Sequence, residues 1–214
     1  RQRKIPILAV VNQVDRIEQV QEIKRQIEQR FSLTPLLVSA KEKTGISQMK
    51  HEILHLKDYY PQLGANGCDA TLTTYRPNNL SEINRENEKH PCLLICPGGG
   101  YEFCSQREQE PIAFYFLPDG INVFVLNYSV APHRYPTQLR EVAAAMELIY
   151  QNAEAWHCDT ARIAIMGFSA GGHLAAHYPN AYDCPEIRAG FPDSKPVQAS
   201  ILCYPVITAD PLWA

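Results

Sequence analysis

The sequence predicts an α/β fold, a parallel sheet with helices on both faces, preceded by a smaller strand–helix–strand–helix segment. Three observations carry this expectation. Short apolar runs at residues 5–11, 91–96, 121–126 and 162–166 are continuous rather than alternating, as in strands covered on both faces. The stretches between several of them repeat apolar residues at helical spacing. Finally, Gly167-Phe168-Ser169-Ala170-Gly171 joins one apolar run directly to a helix-like segment, giving strand, tight turn and helix in succession.

Taken in order, residues 5–11 form the first strand. Ile17, Val20, Ile23, Ile27 and Phe31 then mark one face of a helix. Residues 35–38 are a second short strand, and residues 46–56 a second helix. Tyr59-Tyr60-Pro61-Gln62-Leu63-Gly64-Ala65-Asn66-Gly67 carries Pro and Gly punctuation, so 59–68 reads as a linker between a segment at 1–58 and a domain at 69–214. In that domain residues 70–75 alternate like a half-exposed strand, and 78–90 is a polar turn region. Residues 91–96 form a buried strand that runs into Pro97-Gly98-Gly99-Gly100-Tyr101. Residues 110–117 look helical and 121–126 form another strand. Pro136 opens a helix whose Leu139, Val142, Ala143, Met146, Ile149 and Tyr150 share a face. Residues 199–204 are a further strand after the Ser169 turn.

Composition narrows the function classes. A net charge of -3 over 214 residues gives no reason to expect nucleic acid or an anionic membrane as partner. No apolar run approaches the ~20 residues needed to cross a bilayer. The chain opens Arg1-Gln2-Arg3-Lys4 without a methionine or a signal-like apolar stretch, as if it began inside a longer protein. The 7 cysteines are an odd set without C-x-x-C pairs, which argues against zinc and a disulfide framework and suits a reducing, cytoplasmic setting.

The chemistry centres on Ser169. In a strand–turn–helix context G-x-S-x-G is a nucleophile elbow, in which small flanking residues let the chain turn sharply and lift the serine oxygen above the sheet. Acyl transfer also needs amide donors aimed at the oxyanion. Ala170, at the start of the helix, offers one N–H. Gly99 and Gly100, in the loop after residues 91–96, offer the second, because a chain without Cβ atoms approaches a ligand closely. A flexible turn and a phosphate cradle are the other readings of a Gly-Gly-Gly run. No Gly-Lys-Ser/Thr follows it, and the dinucleotide spacing is absent.

Residues 69–214 resemble the N-terminal part of α/β-hydrolase esterases of the acetyl-esterase/lipase type, which include acetylxylan-esterase-like enzymes. The resemblance rests on residues 97–101, Arg107-Glu108-Gln109-Glu110-Pro111, Leu126-Asn127-Tyr128-Ser129-Val130-Ala131-Pro132, residues 159–164, 167–173 and 203–208, in that order. Pro97 stands where many relatives begin the loop with histidine. The resemblance implies hydrolysis of short acyl or acetyl esters, with acetylated carbohydrate among the candidate substrates, without cofactor. It further implies a triad in the chain order serine, acid, histidine. After Ser169 the sequence contains only His173 and His177, both on the helix that leads away from the nucleophile. His173 reads as a packing or loop-anchoring residue and His133 as a surface or pocket-rim residue. Asp210 follows the last strand, where some hydrolases carry their acid, although a solvated loop aspartate has the same appearance. With acid and histidine unaccounted for, turnover by this chain is expected to be impaired.

In the first segment, Asn12-Gln13-Val14-Asp15 follows one strand and Ser39-Ala40-Lys41 the next. This resembles the guanine-reading elements in the C-terminal half of small bacterial GTPase domains, such as those of hydrogenase maturation. The resemblance implies that Asp15 accepts from the guanine ring nitrogens and Ala40 donates to its oxygen. Gln13 replaces the usual lysine, and no phosphate loop precedes residue 1, so GTP should bind weakly if at all. The expectation is therefore a serine ester hydrolase acting on a small ester substrate. The alternatives are a GTP-binding module represented by the first segment and an inactive fusion.

Overall fold

The computed structural model describes residues 10–12, 25, 36–38, 49–65, 67–79 and 86–207. The chain divides into two compact units, Arg1–Lys50 and His51–Ala214, so the division falls earlier than the linker read at 59–68. In the first unit, β1 (Val10–Asn12) pairs in parallel with β2 (Leu36–Val38), Val10 opposite Leu36. Both strands coincide with apolar runs in the sequence. Asp15, Ser39, Ala40 and Lys41 lie outside the described residues, and only the backbone of Asn12 lies within them.

The second unit is built on a 6-stranded sheet. In chain order its elements are β3 (Met49–His55), α1 (Leu56–Tyr59), β4 (Thr71–Pro77), β5 (His90–Cys96), α2 (Glu110–Phe116), β6 (Asn122–Asn127), α3 (Thr137–Gln151), β7 (Cys158–Phe168), α4 (Ala170–Ala181), α5 (Pro185–Arg188) and β8 (Ala199–Cys203). The strand order is β3-β4-β6-β5-β7-β8. β5 is parallel to both β6 and β7, and β7 to β8, but β4 runs antiparallel to β6. The sheet is therefore mixed rather than wholly parallel.

Two elements differ from expectation for a common reason. Residues 46–56, read as a helix, contain β3: Met49, Ile53 and Leu56 match helical spacing, but strand pairing along the edge of β4 overrides that local preference. Residues 70–75, read as half-exposed, form most of β4, whose central residues Leu72–Arg76 are buried because β3 and β6 flank it.

Continuous apolar runs did mark the centre. Leu93, Leu94 and Ile95 of β5 and Val123, Phe124 and Val125 of β6 are buried on successive, opposite-facing positions, so both faces of the sheet are covered. In α3 the expected face is buried except for Tyr150, which is half-buried, and Glu141, Ala144, Ala145 and Leu148 are buried as well, because α4 and α5 pack against this helix. Among the described residues no helix is long and apolar enough to cross a membrane.

The topology brings three loops together. In the parallel β5–β7 pair, Cys96 stands opposite Gly167, and in β7–β8, Phe168 stands opposite Cys203. All three strands thus end at the same edge of the sheet, with their carboxyl-terminal loops side by side. Ligand sites in open α/β sheets form at such an edge.

Candidate active site

Ser169 sits between β7 and α4 with φ 51° and ψ -116°, a conformation uncommon for a residue that carries a Cβ. Three backbone hydrogen bonds hold it there. Its N–H donates to Cys203 O, and its carbonyl accepts from His173 N and Val206 N, each at 3.0 Å. The glycines on either side make the turn possible. A Cβ on Gly167 would overlap the Gly171 carbonyl, and one on Gly171 would overlap the carbonyls of Cys96 and Pro97. Helix α4 therefore starts with its first turn pressed against the end of β5 as well as β7.

The glycine loop lies directly on this elbow, and Gly98 makes the approach. The point where its Cβ would stand is 3.1 Å from Ser169 Cβ and 2.8 Å from Phe168 O. Gly99 (φ 130°) and Gly100 (φ 64°) then turn the loop, closed by Glu102 N to Gly99 O at 2.9 Å and Ser105 N to Gly98 O at 2.9 Å. The amides of Gly99, Gly100 and Ala170 donate to no acceptor among the described residues. Unused donors on the helix start after Ser169 and on the loop packed against its turn are the kind of group a developing oxyanion needs.

Side chains buttress the loop from below and beside. The Tyr128 hydroxyl donates to Pro97 O at 2.6 Å. Tyr101 reaches across to α4, its hydroxyl 2.8 Å from His173 Nδ1. Burial pushes the Tyr101 and Tyr128 hydroxyls up, so both remain protonated hydrogen-bonding groups. The buried Glu108 carboxyl accepts from Gly98 N at 2.8 Å and from the Tyr204 hydroxyl at 2.6 Å. Sequence reasoning gave no role to Gly98, Tyr101, Glu108 or Tyr204. Their only signal was membership of the stretches that carried the family resemblance.

The histidines are placed elsewhere. His173 is a loop anchor through Tyr101, and His177 stacks on Tyr135 with ring centres 5.7 Å apart. Burial, and then the neighbouring His173, lower the pKa of His177. His133 Nδ1 lies 3.3 Å from Cys68 Sγ and lines a cavity of about 390 Å³ with Asp69, Cys104 and Tyr128. No histidine is hydrogen-bonded to Ser169 Oγ among the described residues. Asp210 lies outside them. All seven cysteines are free, and no group of three His, Cys, Asp or Glu side chains is placed to hold a metal among the described residues.

Comparison with known proteins adds kinship to this geometry. The BD-FAE family model matches residues 79–184, which include the glycine loop and the elbow. Endo-1,4-beta-xylanase B of Butyrivibrio fibrisolvens is 38% identical over 145 residues, 62% of this chain and 22% of that protein. Acetylxylan esterase of Xylanibacter ruminicola is 34% identical over 127 residues, 58% of this chain and 24% of that protein. The chain thus spans about a quarter of the length of these curated relatives. The crystal structure of MGS-M1, an alpha/beta hydrolase enzyme from a deep-sea metagenome library, superposes with a TM-score of 0.63 at 35% identity, covering 78% of this chain and 61% of that one. The GTPase resemblance of residues 1–58 finds no support in these comparisons. The second unit has an α/β-hydrolase-like fold with a mixed sheet, and its sequence is similar to those of ester hydrolases.

Proposed function

We propose that residues 69–214 carry a serine carboxylic-ester hydrolase site for acetyl and other short acyl esters, working without a cofactor. Ser169 Oγ attacks the ester carbonyl, and the amides of Gly99, Gly100 and Ala170 receive the oxyanion. The hydroxyl proton passes through solvent to the leaving oxygen, so that the alcohol departs and leaves an acyl-serine, which water then hydrolyses to the free acid and the serine. The observation that supports this reading is the packing of Gly98 against the Ser169 turn, together with the amides of Gly99, Gly100 and Ala170 that donate to no acceptor among the described residues. Acetylated carbohydrate is the substrate class of choice, since one relative is named an acetylxylan esterase and another a xylanase.

The described residues supply no base to Ser169, and a serine hydroxyl without one is a weak nucleophile. Turnover by this chain is accordingly expected to be slow. The test is acetate release from p-nitrophenyl acetate and acetylated xylan, with fluorophosphonate labelling, for wild type and Ser169→Ala. Signal in the wild type that the variant loses supports the reading. Equal signal in both, or none in either, rejects it.

A further inference from the structure

Glu108 is a buried carboxyl that the chemistry above does not use. It belongs to the one-turn helix Gln106–Glu108, just before α2, and its two oxygens point to different loops. Oε2 accepts the Gly98 amide at 2.8 Å, and Oε1 accepts the Tyr204 hydroxyl at 2.6 Å. Gly98 is the residue that touches Ser169, and Tyr204 opens the turn after β8. The backbone on either side of Tyr204 holds the nucleophile: Cys203 O accepts from Ser169 N, and Val206 N donates to Ser169 O. One carboxyl therefore ties together the loop that carries the oxyanion amides and the turn that fixes the serine.

We infer that Glu108 is a positioning residue for the oxyanion site, setting the glycine loop at its working distance from Ser169. Two details support an active role over simple burial. The missing Cβ of Gly98 would stand 2.8 Å from Glu108 Oε2 as well as 3.1 Å from Ser169 Cβ, so carboxyl and nucleophile turn both crowd the same point at Gly98. Gly98 N is also the only amide of the three consecutive glycines with an acceptor among the described residues, leaving its successors free. Fixing the Gly98 amide restrains the next two, because each peptide unit is planar and only two torsions separate one amide from the next. A misplacement of about 1 Å at such a site can cost about 100-fold in rate.

The inference rests on the esterase reading, and two readouts keep them apart. Hydrogen exchange of residues 97–105 and 203–207 is compared among wild type, Glu108→Gln and Glu108→Ala, alongside kcat and KM for p-nitrophenyl acetate. In Glu108→Ala both segments should exchange faster while β5 and β7 stay protected, and kcat should fall about 10- to 100-fold with KM within about twofold. Glu108→Gln keeps a carbonyl for Gly98 and an amide that Tyr204 can accept from, so it should restore most of both signals. If Glu108→Ala leaves exchange in both segments unchanged, or if Glu108→Gln is as damaged as Glu108→Ala, the role of Glu108 is overturned. Faster exchange in Glu108→Ala, in a wild-type background without Ser169-dependent turnover, rejects the esterase and leaves the hold of Glu108 on the loop standing.

Discussion

The empty Cβ position of Gly98 stands 3.1 Å from the Cβ of Ser169, so the first glycine of the loop has no room for a side chain against the nucleophile's turn. The same point lies 2.8 Å from Phe168 O, a backbone atom that cannot swing aside. In Gly98→Ala the loop must therefore lift off the elbow, carrying the amides of Gly99 and Gly100 with it. Ser169-dependent esterase activity should drop about 100-fold. Steady-state kinetics check this, with circular dichroism to show that the sheet survives. Gly100→Ala has nothing within 4 Å of its Cβ, and its cost comes instead from φ 64°. It should do less harm, on the order of 1 kcal/mol in stability.

Tyr101 and His173 join the same loop to α4 from its other side, 2.8 Å apart. If His173 anchors the loop and is not a base, its removal should resemble removal of the tyrosine hydroxyl. His173→Ala and Tyr101→Phe are each expected to lower activity by about tenfold and stability by about 1 kcal/mol. Loss of a true triad member costs about 10⁴- to 10⁶-fold. Parallel kinetics on the two variants and Ser169→Ala decide the matter. A His173→Ala variant as inactive as Ser169→Ala would make His173 the base.

How much of this was legible in the sequence depends on where the determining contacts lie. β5, β6 and β7 could be read because a strand buried on both faces must be apolar at every position, and Leu93–Ile95 and Val123–Val125 are. The Ser169 elbow could be read because a tight strand-to-helix turn needs its small residues at fixed spacing. β3 could not. Its exposure at Lys50–Ile53 leaves little pattern, and its state is set by pairing with β4. Gly98 was passed over for Gly99 and Gly100 because nothing local distinguishes three glycines in a row. What separates them is contact with Phe168 and Ser169, residues distant in the chain. Glu108 was silent for the same reason: a carboxylate in a polar stretch reads as solvated, and only the fold turns it inward.

Gly171 makes a demand on stability rather than on chemistry. A Cβ there would overlap two backbone carbonyls at the end of β5, so strand and helix could not both stay in place. Relief would require α4 to tilt away from the sheet, exposing Leu174 and Ala175, which are buried beneath it. Gly171→Ala should cost about 3 kcal/mol or more, at the upper end of overpacking effects. Urea unfolding followed by tryptophan fluorescence measures it. A shift under about 1 kcal/mol would mean that the helix start is softer than the contacts indicate.

Glu141 gives the unit a pH dependence whose sign can be worked out. Its carboxyl is fully buried on α3, accepting from Ser129 N at 2.7 Å and from Ser129 Oγ at 2.5 Å. Burial raises its pKa from 4.5 to about 7, against the lowering effect of those two hydrogen bonds. Between these values the folded protein holds a proton that the unfolded chain has released. Stability from this group is therefore fully present below pH 4.5, declines as pH rises toward 7, and is flat beyond. The loss should be on the order of 3 kcal/mol. Glu141→Gln removes the titration and keeps a carbonyl acceptor for Ser129 N. Unfolding free energies of both proteins, taken from pH 4.5 to 8, should differ by an amount that changes over this window alone. Parallel curves would show that Glu141 does not change its proton on unfolding. A difference in the predicted sense would extend to the site itself, because Ser129 lies two residues before Ala131, whose N–H donates to Tyr101 O at 2.7 Å. The carboxyl that sets the pH dependence thus sits two contacts from the loop that faces Ser169.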